Sequence, residues 1–138
     1  MTDQAVLRDA AAGARAARLA SRLRQFPAGE RRTLAHGDFT ADQVLCRGTE
    51  VRLIDFDRAG LGEPERDLGA FAAGELLAGR SLHVSLRAGY DRRVDERAVA
   101  RWTAAAALQR AVEPFRCARP DWRDALHAAI DVAEEAIA

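Results

Sequence analysis

Two short segments hold polar residue types at spacings suited to metal and proton chemistry. In His36-Gly37-Asp38-Phe39-Thr40-Ala41-Asp42-Gln43, a carboxylate and an amide stand five residues apart, just before an extended run. In Leu53-Ile54-Asp55-Phe56-Asp57, two further carboxylates close the next extended run. Gln43 to Cys46 and Val51 to Ile54 read as strands, and the intervening Arg47-Gly48-Thr49-Glu50 carries a turn glycine, so the spacing predicts a β-hairpin. If the strands pair, the residue entering the first and the residue leaving the second lie at one end. Gln43 and Asp55 then converge, with Asp38 nearby. Oxygen donors gathered on a rigid hairpin suit a hard cation such as Mg2+. Phosphoryl transfer asks for such a set: one carboxylate takes or orients the proton of an acceptor hydroxyl, and others hold metal against phosphate charge. Asp57 could contact metal or an acceptor amine, but it shares a face with Asp55 only if extended geometry persists past Phe56, so a salt bridge or loop hydrogen bond is the favoured expectation.

The elements around the hairpin are helical. From about Ala5 to Phe26 the chain is alanine-rich, with Leu19, Leu23 and Phe26 on one stripe and Arg15, Arg18 and Arg22 on a solvated one, and Pro27 and Gly29 end it. After a loop over Gly60 to Pro64, a helix is predicted from about Glu65 to Ala78, then a break at Gly79 and a short helix through Tyr90. Asp95 is the expected N-cap of a long helix ending near Cys117, with Val99, Trp102, Ala106, Val112 and Phe115 at helical multiples. Asp121 is the expected cap of the last helix, whose Leu126, Ile130, Ala133 and Ile137 form one stripe. With no repeat and no linker composition, the expectation is one mainly helical α+β unit carrying one hairpin.

Composition narrows the function. A chain of 138 residues with 49% hydrophobic content supports one packed core. Twenty-one arginines balance 21 acidic residues, so no net field draws it to nucleic acid or an anionic membrane, and small molecules or proteins are the expected partners. No apolar run reaches membrane-spanning length. Cys46 and Cys117 have no metal-like spacing, which fits two half-buried thiols in a reducing, cytoplasmic setting. His83 and His127 lie outside the two segments and carry no expected role. Lysine is absent from the 138 residues.

The two segments together resemble the HGDxxxxN loop and IDxxxxxxGxPxxDL segment of the aminoglycoside phosphotransferases and their choline kinase relatives. Here they run His36 to Gln43 and Ile54-Asp55-Phe56-Asp57-Arg58-Ala59-Gly60-Leu61-Gly62-Glu63-Pro64-Glu65-Arg66-Asp67-Leu68. The resemblance implies a protein-kinase-like C-terminal helical lobe over residues 1–138, in which the hairpin carries the catalytic loop and the metal-binding aspartate. It implies Asp38 as catalytic base, and Asp55 and Gln43 as metal ligands, Gln43 standing where the family has asparagine. His36 and Asp67 are implied as structural supports of the loop. It also implies Mg2+ and ATP as cofactors and a small-molecule hydroxyl acceptor: an aminoglycoside, amino alcohol or sugar. The lysine and glycine-rich loop that such kinases use on ATP phosphates have no counterpart here. The expectation is therefore a truncated lobe lacking its N-terminal nucleotide-binding part, inactive alone. Its partner is that missing lobe, or a second copy meeting the exposed hairpin face. Two other readings stay open: a catalytically silent helical module that binds a ligand or protein, and a metal-dependent phosphohydrolase using Asp38, Asp55 and water.

Overall fold

The computed structural model of the chain describes residues 8–138. It is mainly helical with two small antiparallel sheets. Helix α1 (Ala10–Gln25) precedes strand β1 (Thr33–Ala35), a 3-10 turn (Ala41–Gln43), and strands β2 (Val44–Arg47), β3 (Glu50–Leu53) and β4 (Gly60–Gly62). Helices α2 (Pro64–Leu77), α3 (Leu82–Gly89), α4 (Glu96–Arg110), α5 (Glu113–Arg116) and α6 (Trp122–Ala136) follow.

The helical half is built on small residues. Ala12, Ala16 and Leu19 of α1 meet Ala73 of α2, Ala104, Ala107 and Leu108 of α4, and Leu126, Ala129, Ile130 and Ala133 of α6. Methyl side chains let these backbones approach closely, so the core gains density where it forgoes large apolar surface. Gly69 is the tightest point: a Cβ there would lie 2.5 Å from Trp102 Cβ and 2.6 Å from Thr103 N. Helix α2 is buried on almost every side, because β1, α3, α4 and α6 all pack against it.

Charged clamps set the helix ends. Asp9 accepts from Ala12 N at 3.0 Å and caps α1. Arg15 is not on a solvated face: it donates to Asp131 at 2.5 Å and to Glu134 at 2.7 Å on α6. Arg22 likewise donates to the Ile137 carbonyl at 2.8 Å. Buried Glu75, 1% exposed, receives Arg80 and the Leu82 amide, which fixes the turn from α2 into α3.

Several expected features differ. The start of the first helix at Ala5 lies outside the described residues, and the described helix begins at Ala10. The helix expected to end near Cys117 stops at Arg110, because Pro114 has no N–H for the Arg110 carbonyl and opens α5 instead. Asp95 does cap α4, accepting from Arg97 N at 2.9 Å. Asp121 stands at the N-cap position of α6, but its carboxylate accepts from Arg119 at 2.6 Å instead of from a helix N–H. Gly60 to Gly62, expected as loop, pairs with β1 in the register Thr33 with Gly62, Leu34 with Leu61, Ala35 with Gly60. Cys46 and Cys117 are free and exposed, not half-buried, and among the described residues the strands of the β2–β3 hairpin are exposed along most of their length.

Candidate active site

The hairpin forms in the register Val44 with Leu53, Leu45 with Arg52, Cys46 with Val51 and Arg47 with Glu50. Gly48, at φ +59, supplies the turn conformation that a side chain would resist. The ladder runs one step past the strands, where Ile54 N donates to the Gln43 carbonyl at 3.1 Å. Asp55 is therefore one residue beyond the partner of Gln43, at the same end of the hairpin. Its backbone turns left-handed there (φ 62), and the chain folds into a turn closed by Ala59 N donating to Phe56 O at 2.9 Å. That turn carries Asp57 away from the strand direction. Asp55 and Asp57 are exposed and make no hydrogen bond or ion pair among the described residues, so the salt bridge or loop bond expected for Asp57 is not formed.

The loop bearing Asp38 is tied down from three sides. Asp67 accepts from His36 N at 2.6 Å and from Gly37 N at 2.9 Å. Arg66, its neighbour on the first turn of α2, donates to the Gly37 carbonyl at 3.0 Å. His36 is buried, and its Nε2–H donates to the Ile54 carbonyl at 2.8 Å, so the imidazole links this loop to the residue before Asp55. Its Nδ1 is buried without a hydrogen bond among the described residues. Phe39 and Phe56 pack on the same ring at centroid distances of 5.7 and 4.9 Å. These contacts fix the orientation of the His36 ring against the loop and the hairpin end.

Asp38 itself is half-exposed, with Arg110 NH2 3.7 Å from its Oδ1. Arg110 is held in place by donating to the Ala70 carbonyl at 2.8 Å and lies against Gly74. Gln43 is buried, and its Oε1 accepts from Thr40 N at 3.2 Å. One lone pair of that amide oxygen is thus engaged and the second is not. Asp42 points elsewhere, accepting from Thr40 Oγ1 at 2.5 Å. That bond, with the charges of Arg110 and Arg80, holds its carboxyl below the usual range. Beside the loop lies a cavity of about 280 Å³ whose lining includes His36, Phe39, Phe56, Asp67, Leu86 and Tyr90.

Among the described residues no three His, Cys, Asp or Glu side chains gather into a metal cage. Mg2+ does not ask for one, since it usually takes one or two carboxylates and completes its shell with water and substrate phosphates. Among the described residues the Asp55 carboxylate has no hydrogen-bond or ion-pair partner, and Gln43 stands at the same end of the hairpin; both are of a chemical type that such a shell can use.

Three contacts had no signal in the sequence. Arg110 stands far along the chain from Asp38 and looks like any polar residue of a helix. Arg66 lies inside the second motif but at a position the motif leaves open. Glu63 is buried and receives Gly29 N at 3.0 Å, Trp102 Nε1 at 2.8 Å and Arg101. Burial raises its pKa, but the bonds from Trp102 and Gly29 and the charges of Arg101 and Arg32 outweigh it, so Glu63 stays ionised below the ordinary range. Its partners are known only once α4 is packed.

Comparison with known proteins agrees with this architecture. The fold matches the crystal structure of a choline/ethanolamine kinase family protein from Mesorhizobium loti, with a TM-score of 0.57 and 18% identity. The match covers 96% of this chain and 45% of that one, so the chain spans about half the length of the solved structure. No curated protein matches. The model of the phosphotransferase enzyme family matches residues 2–115, and the chain belongs to that family.

Proposed function

We propose that this chain is the acceptor-side half of a small-molecule kinase, transferring a phosphoryl group to a hydroxyl of an aminoglycoside, amino alcohol or sugar. The observation that carries the reading is the double tie at Ile54. Its N–H bonds to Gln43 and its C=O to His36, so Asp55 follows directly on a residue linked to both the hairpin entry and the Asp38 loop. In this reading Asp38 orients the acceptor hydroxyl and takes its proton as the new O–P bond forms. Asp55 and the free lone pair of Gln43 Oε1 hold Mg2+, which neutralises phosphate charge when bound. Asp67 and His36 keep the loop in place, and Arg110 fixes the far side of the Asp38 carboxylate.

The groups that grip a nucleotide must come from outside these residues, whether from an N-terminal lobe or another chain. The isolated chain is accordingly expected to give no turnover with magnesium-ATP and amino alcohol, aminoglycoside or sugar acceptors. Turnover that disappears in Asp38→Asn would overturn that expectation.

The metal half of the reading is tested without turnover. Mn2+, a paramagnetic stand-in for Mg2+, should broaden the amide signals of Asp55, Gln43 and Asp38 first, and Asp55→Ala should abolish the effect. Broadening centred elsewhere, or insensitive to Asp55→Ala, would remove the kinase and phosphohydrolase readings together and leave a ligand-binding helical module.

A further inference from the structure

We propose that Arg66 is the positioning residue for Asp38, carrying the placement of helix α4 to the Gly37–Asp38 peptide. The consequence for phosphoryl transfer rests on the reading of Asp38 given above; the placement itself rests on geometry. The carbonyl that Arg66 holds belongs to the same planar unit as the Asp38 N–H, so fixing that oxygen fixes the Asp38 backbone as well. Asp67 secures the preceding peptide through the Gly37 N–H. Two successive residues of α2 therefore clamp the two peptides flanking Gly37. That residue sits at φ +88, where a Cβ would lie 2.1 Å from the Arg58 carbonyl oxygen.

Arg66 is not a general surface cation. It forms no salt bridge with a carboxylate among the described residues, and the hydrogen bond it makes goes to the loop carbonyl. Its guanidinium lies over the Trp102 ring, 5.8 Å from the centroid. Trp102 is held in turn by Nε1 donating to buried Glu63, which also receives Gly29 N and Arg101. Gly69 lets α4 come close enough to α2 for Trp102 to reach this position. The chain of contacts runs from the entry loop at Gly29 through Glu63, Trp102 and Arg66 to Gly37. A planar cation with several donors suits this role, because one face can lie toward the ring while an N–H reaches the carbonyl.

The test compares Arg66→Gln, Arg66→Lys and Trp102→Leu with the parent chain by NMR. In Arg66→Gln the Gly37 carbonyl carbon should move upfield. The Gly37 amide keeps its own bond to Asp67, so its exchange should speed roughly tenfold through loosening of the loop that has lost its carbonyl anchor. Amides of Ala104, Leu108 and Ile130 in the core should keep their rates. Arg66→Lys should recover part of both effects, since an ammonium can donate to the carbonyl but cannot stack as a plane. Unchanged Gly37 signals in Arg66→Gln overturn the proposal, and so does an equal loosening of loop and core, which would mark a merely structural residue. Should Arg66→Gln not fold, Trp102→Leu decides by the same Gly37 signals. The manganese result at Asp55 is independent of these signals, so a failed metal site and a failed clamp are told apart.

Discussion

At Gly37 the backbone dictates the residue type. Its φ of +88 lies in the region a side chain resists, and the Arg58 carbonyl occupies the space a Cβ would need. Gly37→Ala is expected to destabilise the fold by about 2–3 kcal/mol, read as a lowered urea midpoint. A loss near zero would mean that the loop does not adopt this conformation in solution. Asp55 is the opposite case: it is left-handed at φ 62 without being glycine. Among the described residues its exposed carboxylate has no partner to offset that conformation, so nothing there ties the residue type to stability. Asp55→Gly should raise stability by about 0.5–1 kcal/mol while abolishing manganese broadening at the hairpin end. A less stable variant would show that Asp55 is a structural residue. The carboxylates Asp38, Asp55 and Asp67 stand at positions legible in the sequence, because a strand end and a motif mark them. Arg66, Arg110 and Glu63 were not legible, since what they touch is set by the packing of α2 against α4.

At the scale of elements, two joints hold the helices around the loop. The first is the α2–α4 contact at Gly69, where the backbones leave no room for a methyl group. Gly69→Ala should cost about 1–3 kcal/mol by overpacking and should displace Trp102 from Arg66. A Trp102 indole signal unchanged from the parent chain would argue against the joint. The second is the α1–α6 clamp, where Arg15 meets Glu134 and Asp131, and His127 Nε2 meets Asp9 at 3.0 Å. The Arg15 hydrogen bond lowers the Glu134 pKa, and the Ala12 amide followed by His127 lowers that of Asp9. A carboxyl depressed in the folded state favours folding above its unfolded value, 4.5 for Glu134 and 3.8 for Asp9, and loses that contribution as pH falls through the folded value. Urea stability should therefore decline from about pH 4.5 downward, and Arg15→Met should flatten the decline. An equally steep decline in Arg15→Met would place the acid sensitivity elsewhere. Helix identities were readable because alanine-rich periodicity and the Asp95 cap are local signals. The β1–β4 pair was not: three residues containing two glycines have no periodicity, and Gly60 to Gly62 becomes a strand through its partner Thr33 to Ala35. The break at Arg110 was readable in principle from Pro114, but the apolar spacing across it mimicked one continuous helix.

Over the whole molecule, apolar surface is distributed unevenly. The helical half buries an alanine core and leaves Leu76, Leu82 and Val84 exposed, while Leu34, Leu45, Val51, Leu53, Ile54, Phe56 and Leu61 on the strands and the segment after them make up the larger exposed set. Leu34 and Leu61 face each other in the β1–β4 register at 77% and 82% exposure. Side chains so exposed contribute little to the stability of the isolated chain, and substitutions there usually fall within about 0.5 kcal/mol. Clustered apolar residues on a strand face are the kind of surface that association covers, and the proposed function would have a nucleotide-binding lobe or a second copy meet it here. The two roles separate in the double variant Leu34→Ser with Leu61→Ser. Its urea midpoint should match the parent chain, while concentration-dependent light scattering and binding of an apolar dye should both fall. A lowered midpoint would mean that this pair belongs to the fold itself. Undiminished scattering with an unchanged midpoint would mean that the strand face is not where the molecule meets a partner, and that any lobe completing the kinase docks on another surface.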